Sequence, residues 1–256
     1  MQGARKAVVL GFGAVAWWLV SCRDVPAPEG GILSLSPVQL PSPGLVAGDT
    51  MRDSTGIVAP LRVVAYDVKG DTVRNAVLTF VVIDTAPGAH LSGAFLIGDK
   101  AGTTVRVIGS SEVIQTQPAS VKVTLSPDTM VASDSVVHRR AYSLLAGDTV
   151  VDANLATTVL HRVTPPTGVE AVVVRYVIEQ APTGINGART VFLLNGAAES
   201  NRDTSDAAGK ATRTTRLRVA AKNMFATDTA LITATASYAG RTIGRVLFTL
   251  IYTNVQ

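Results

Sequence analysis

Between Leu61 and Tyr252 the chain is cut into short apolar or alternating runs, and the cuts are made by turn residues. The first group covers residues 61–66, 76–83, 95–97, 103–108 and 120–125, and the second covers 157–163, 171–178, 190–194, 213–220, 230–237 and 242–252. Runs this short and this regularly interrupted do not sustain the 3.6-residue period of an amphipathic helix. They suit strands that bury one face. Valine, threonine, alanine and glycine dominate, and only 16% of residues are charged. Branched side chains favour a pleated surface, so the chain is expected to be all-β, a sandwich or a barrel. Residues 197–224 have the one composition that could hold a helix, but Arg216-Leu217-Arg218-Val219 alternates, which favours a strand there.

The interruptions have a chemical signature. Asp67-Val68-Lys69-Gly70, Asp99-Lys100-Ala101-Gly102 and Asp206-Ala207-Ala208-Gly209 are all Asp-x-x-Gly between strand-like runs. An aspartate opening a type I turn accepts hydrogen bonds from nearby backbone amides, and a glycine closing it tolerates positive φ. Asp67, Gly70, Asp99, Gly102, Asp206 and Gly209 are therefore expected to be structural turn residues.

The chain also repeats itself. Leu45-Val46-Ala47-Gly48-Asp49-Thr50 recurs as Leu144-Leu145-Ala146-Gly147-Asp148-Thr149, and Asp53 and Asp152 follow at the same distance. Further on, the turn at Asp99 with Arg106 echoes the turn at Asp206 with Arg213 at a slightly larger offset. Ordered matches of this kind predict two copies of one fold. We expect one sandwich over residues 32–136 and a second over 137–256.

Strand, Asp67-Val68-Lys69-Gly70-Asp71-Thr72-Val73, strand, and a later Asp-x-x-Gly before another alternating strand resemble the bacterial immunoglobulin-like domains of invasin- and intimin-type surface proteins. The resemblance implies tandem immunoglobulin-like β-sandwiches with a binding or adhesive role. It also implies that these modules lack the inter-sheet disulfide and core tryptophan of antibody domains. In the second copy Thr164-Pro165-Pro166-Thr167-Gly168 stands where the first Asp-x-x-Gly turn would be, so that copy departs from the pattern.

The amino-terminal end carries an address. Residues 1–6 contain Arg5 and Lys6 and no acid, and residues 7–20 form an unbroken apolar and glycine run of 14 residues. That is the layout of a secretory signal peptide over residues 1–21, and it is shorter than the ~20 residues of a membrane-spanning helix. Leu19-Val20-Ser21-Cys22 resembles the bacterial lipobox, which implies that Cys22 becomes the acylated first residue of the mature chain. A membrane anchor of several acyl chains would be firm, at about 0.8 kcal/mol per buried methylene. An ordinary secretory signal with a chance cysteine, or an uncleaved helix, are the alternatives. Cys22 is the single cysteine, so no internal disulfide can form. Residues 22–43 hold Pro26, Pro28, Pro37, Pro41 and Pro43, the composition of an extended tether, with a first strand possible at residues 32–35.

No site chemistry stands out beyond the anchor. His90, His138 and His161 are isolated in sequence, and no nucleophile-elbow, zincin or phosphate-loop motif occurs, so we expect no catalytic residues and no enzyme. Asp67, Asp71, Asp99, Asp203 and Asp206 match no calcium loop, so neither metal nor cofactor is expected beyond the lipid at Cys22. Arg213, Arg216 and Arg218 lie in the densest basic stretch and could attract an anionic polysaccharide or headgroup, although a solvated sheet face explains them as well. The net charge of +4 falls to near +2 without the leader, which argues against nucleic acid as a partner. The expected partners are a membrane, through the lipid, and an envelope protein or polysaccharide.

Overall fold

The computed structural model describes residues 31–112, 114–222 and 227–255. The described chain is all-β, with single turns of 3-10 helix at Ile185–Gly187 and Val219–Ala221. The expected signal peptide over residues 1–21, the expected lipid site Cys22 and the expected tether up to residue 30 lie outside the described residues. The first strand among the described residues is Ser34–Leu35.

The C-terminal half is a sandwich. One sheet runs Thr129–Ala132, Val150–His161, Lys210–Arg218, Val191–Asn195, Ala198–Glu199, with Thr167–Gly168 as an added edge on Val150–His161. The other runs Val137–Tyr142, Arg241–Asn254, Thr227–Tyr238, Val173–Gln180, Arg202–Thr204. Counting the main strands along the chain, the first sheet holds first, second, fifth and fourth, and the second holds seventh, sixth and third. This is the immunoglobulin order. The additional strand Val137–Tyr142 lies parallel to the last strand, Arg241–Asn254.

The N-terminal half repeats this plan with shorter pieces. Gly44–Val46 lies parallel to Ala119–Thr124, Thr104–Ser111 and Thr79–Val82 follow in the sheet, and Ile114–Gln115 is added on Thr104–Ser111. Across from it, Ser34–Leu35 pairs with Ala65–Tyr66, and Ala89–Ser92 pairs with Phe95–Gly98. Alternation drives the packing. In Thr104–Ser111 the inward Val105 and Val107 are fully buried, while Thr104 and Arg106 face solvent. Leu45, Met51, Leu61, Leu96, Val121 and Val123 complete that core. The second core is larger and more aromatic, built on Tyr142, Tyr176, Phe248 and Tyr252 with aliphatic neighbours. Each fully buried aliphatic or phenylalanine side chain contributes about 1.5–3 kcal/mol by leaving water. Tyr176 donates its hydroxyl to the Ala211 carbonyl at 3.1 Å, and burial pushes its phenol up to about 12.

Three expectations need correction. Thr129–Ala132 pairs with Val150–His161, and Met130 packs into the second core, so the second unit begins before residue 137. The paired turns at Asp99 and Asp206 are not equivalent. Asp99 leads into Thr104–Ser111, which lies beside the last strand of its unit, whereas Asp206 leads into Lys210–Arg218 of the opposite sheet. Asp53 and Asp152 also differ, the first being a turn residue and the second lying in a strand. The Leu45 and Leu144 segments do correspond, since each leaves the strand that runs parallel to the end of its unit.

Candidate functional site

The turn aspartates divide into two kinds. Asp67 Oδ1 accepts from the Lys69 and Asp71 amides at 2.8 and 2.9 Å, and Gly70 N–H donates to the Asp67 carbonyl. Asp206 Oδ1 accepts from Ala208 and Lys210, both at 2.9 Å, and Gly209 N–H returns to the Asp206 carbonyl. Asp99 instead pairs with His90 Nδ1 at 2.9 Å, while the Gly102 amide bonds the Val123 carbonyl. Asp53-Ser54-Thr55-Gly56 is a further turn of this design, with Asp53 Oδ1 taking the Thr55 and Ile57 amides. Its Asp-x-x-Gly spacing was visible in the sequence, hidden behind the repeat match with Asp152.

The arginines of the fifth strand do not form one patch. Lys210–Arg218 alternates so that Ala211, Arg213, Thr215 and Leu217 face inward. Arg213 is 2% exposed, and its Nη2 reaches the Arg202 carbonyl and Asp203 Oδ1. Arg216 is held by Asp152 through two hydrogen bonds of 2.8 and 2.7 Å. Arg218 lies over the Phe192 ring at 4.5 Å. The three residues therefore do not form the anion patch expected of them, because Arg213 is buried, Arg216 is held by Asp152 and Arg218 lies on Phe192.

The histidines are also apart. His90 pairs with Asp99, and His161 Nδ1 contacts Asp128 at 2.8 Å and the Ser126 carbonyl. His138 is buried against Phe248, where burial and then Arg140 push its pKa down. Among the described residues no group of three His, Cys, Asp or Glu side chains could hold a metal ion. No helix among them is long and apolar enough to cross a membrane.

The two halves meet in a built junction. Asp49 of the first half receives Arg52 Nε at 2.8 Å, its neighbour Thr50 N–H at 2.7 Å, and the Tyr238 hydroxyl from the second half. Burial alone would raise the Asp49 pKa, but the bonds from Arg52, Tyr238 and Thr50 outweigh it and hold the carboxyl below its ordinary value. Burial, then the hydrogen bond to Asp49 and the Asp49 charge, push the Tyr238 phenol well up. Lys122 reaches Glu170 across the same junction at 3.3 Å. The backbones touch: a Cβ on Gly56 would lie 2.0 Å from the Gly240 nitrogen.

Beside these contacts opens a cleft of about 370 Å³, walled by both halves. Its polar lining residues include Ser42, Thr50, Thr124, Thr235, Ser237, the arginines Arg52, Arg175 and Arg202, and one acid, Asp53. Neither Arg175 nor Arg202 stood out in the sequence, because their meeting depends on strand register. A second cavity of about 450 Å³ at the open side of the C-terminal sandwich also has Arg175 in its wall.

No family model matches the chain, and no curated protein matches it. Among solved structures, domains 4 and 5 of the S-layer protein SbsC are similar at 15% identity, with 86% of this chain and 96% of that chain covered and a TM-score of 0.30. The Yersinia pseudotuberculosis adhesin InvE is similar at 12% identity over 87% of this chain and 59% of that one, with a TM-score of 0.35. A protein of unknown function from Porphyromonas gingivalis W83 is similar at 10% identity over 87% of this chain and all of its own, with a TM-score of 0.29.

Proposed function

We propose that this chain is a non-enzymatic lipoprotein of the bacterial cell envelope, a tandem of immunoglobulin-like sandwiches that binds or adheres at a distance from its membrane. Cys22 holds the lipid, the proline-rich tether sets the stand-off, and the sandwiches present a surface. The observation that carries this reading is the junction. Asp49, Arg52 and Tyr238, with Lys122 and Glu170, tie the two sandwiches into one presenting body with a shared cleft. Free modules joined by a slack linker would have no reason to build such contacts. The reading is tested by fractionating cells that make the native chain or Cys22→Ser. The native protein should stay with membranes through a high-salt wash and Cys22→Ser should be released. Retention of the variant in the membrane would contradict the reading.

A second reading is favoured by one edge. Thr79–Val82 ends its sheet, and residues 75–83 carry no charge, with Val77 81% exposed. Natural edges are usually guarded by charge or proline. In this reading the chain is an accessory subunit that accepts a partner strand along this edge. A stoichiometric partner in pull-downs from solubilised envelopes, lost on Val81→Lys, would support it.

A further inference from the structure

Across the outer face of the C-terminal sandwich four residues stand in one lateral row. Arg202 is directly opposite Arg175, Arg175 is opposite Thr235, and Thr235 is opposite Arg245. Like charges directly opposite on neighbouring strands destabilise a sheet. Other arginines of this sandwich each hold a carboxylate, Arg189 from Glu199, Arg216 from Asp152 and Arg245 from Glu179. Arg175 and Arg202 have no ion pair among the described residues, and both are exposed where they wall the inter-sandwich cleft. One acid, Asp53, lines the cleft and Asp49 lies at the adjoining junction, and neither pairs with Arg175 or Arg202. Asp49 is occupied by Arg52, and Asp53 Oδ1 is occupied by its own turn.

We propose that the cleft binds a carboxylated saccharide, a uronic acid unit of an acidic polysaccharide, with its carboxylate between Arg175 and Arg202. An opposed, unpaired guanidinium pair is a fork for a planar carboxylate, which relieves the repulsion between the two charges. The hydroxyls of Ser42, Thr50, Thr235 and Ser237 supply the donors and acceptors that sugar hydroxyls need. The volume is at the small end of ligand pockets, which suits a short saccharide segment and not a protein domain. Phosphate headgroups would meet the same charge, but a flat anionic bilayer would have to enter a concave cleft between two sandwiches. This inference rests on the binding-module reading and names its ligand class.

The test uses the full-length chain in detergent, titrated with an oligogalacturonate by calorimetry. Binding is expected for the free acid and not for its methyl ester, and raising the salt should weaken it. Arg175→Gln with Arg202→Gln should lower affinity by about a hundredfold, near tenfold for each charge-assisted contact. The same double variant should melt no lower than the native chain, since it removes a like-charge pair. Arg216→Gln, away from the cleft, should leave binding unchanged. Equal binding of acid and ester, undiminished binding by the double variant, or binding of phosphatidylglycerol vesicles but not the saccharide would overturn the proposal. Each of those outcomes leaves the anchor reading standing, because that reading is decided by the fate of Cys22.

Discussion

Arg213 shows how little a residue's type says about its role. A guanidinium that is 2% exposed must find partners inside the protein, and it does so at the Arg202 carbonyl, at Asp203 and over the Tyr176 ring, whose centroid is 5.9 Å away. Removing one partner of such a pair strands the other, at a cost of about 3–5 kcal/mol. Arg213→Ala should therefore lower stability in chemical denaturation by about 3 kcal/mol, with Arg213→Met recovering part of the loss through packing. Arg216→Ala, at the exposed pair with Asp152, should cost under about 1 kcal/mol. The difference was legible in strand parity, because position 213 shares a face with Leu217, and positions 216 and 218 share the other. Adding Arg213 to Arg216 and Arg218 by their density along the chain crossed that parity. The register that opposes Arg175 to Arg202 was not legible at all, since it is set by strands that meet only in the fold.

At the scale of elements, local chemistry was the readable part. Short alternating runs became strands, and Asp-x-x-Gly became turns at Asp67 and Asp206, because both outcomes depend on residues within a few positions of each other. Strand identity was not readable. The same Asp-x-x-Gly spacing occurs at different connections in the two halves, so matching Asp99 with Asp206 aligned non-equivalent strands. Thr129–Ala132 was missed because a four-residue strand carries almost no periodic signal. The turns should differ in tolerance. Gly70 has φ +82° with open space around it, whereas a Cβ on Gly209 would meet the Val159 carbonyl at 2.3 Å. Gly70→Ala should cost about 1 kcal/mol, from the left-handed backbone alone. Gly209→Ala should cost visibly more, measured as a larger drop in melting temperature, since backbone on the fifth strand's turn must also move.

At the scale of the molecule, the junction makes stability depend on pH from both sides. Asp49 is held below its ordinary 3.8, so its contribution is present above that value and is lost as pH falls through the depressed pKa. Tyr238 is raised above its ordinary 10.0, so its contribution is present below that value and is lost as pH rises. The junction should thus hold evenly from about pH 5 to about pH 9 and loosen at either extreme. Asp49→Asn should flatten the acid side of the stability profile and Tyr238→Phe the alkaline side, each at a cost of about 1–2 kcal/mol near neutrality. Small-angle scattering should show either variant as a less rigid pair of sandwiches than the native chain. A rigid pair matters only if something holds it at a surface, and in this account that is Cys22. The most direct measurement is mass spectrometry of the N-terminal peptide of protein purified from its native membranes. The account predicts that residues 1–21 are absent and that Cys22 carries a thioether-linked lipid with its acyl chains. An unmodified Cys22, or a chain that still begins with residues 1–21, would contradict it.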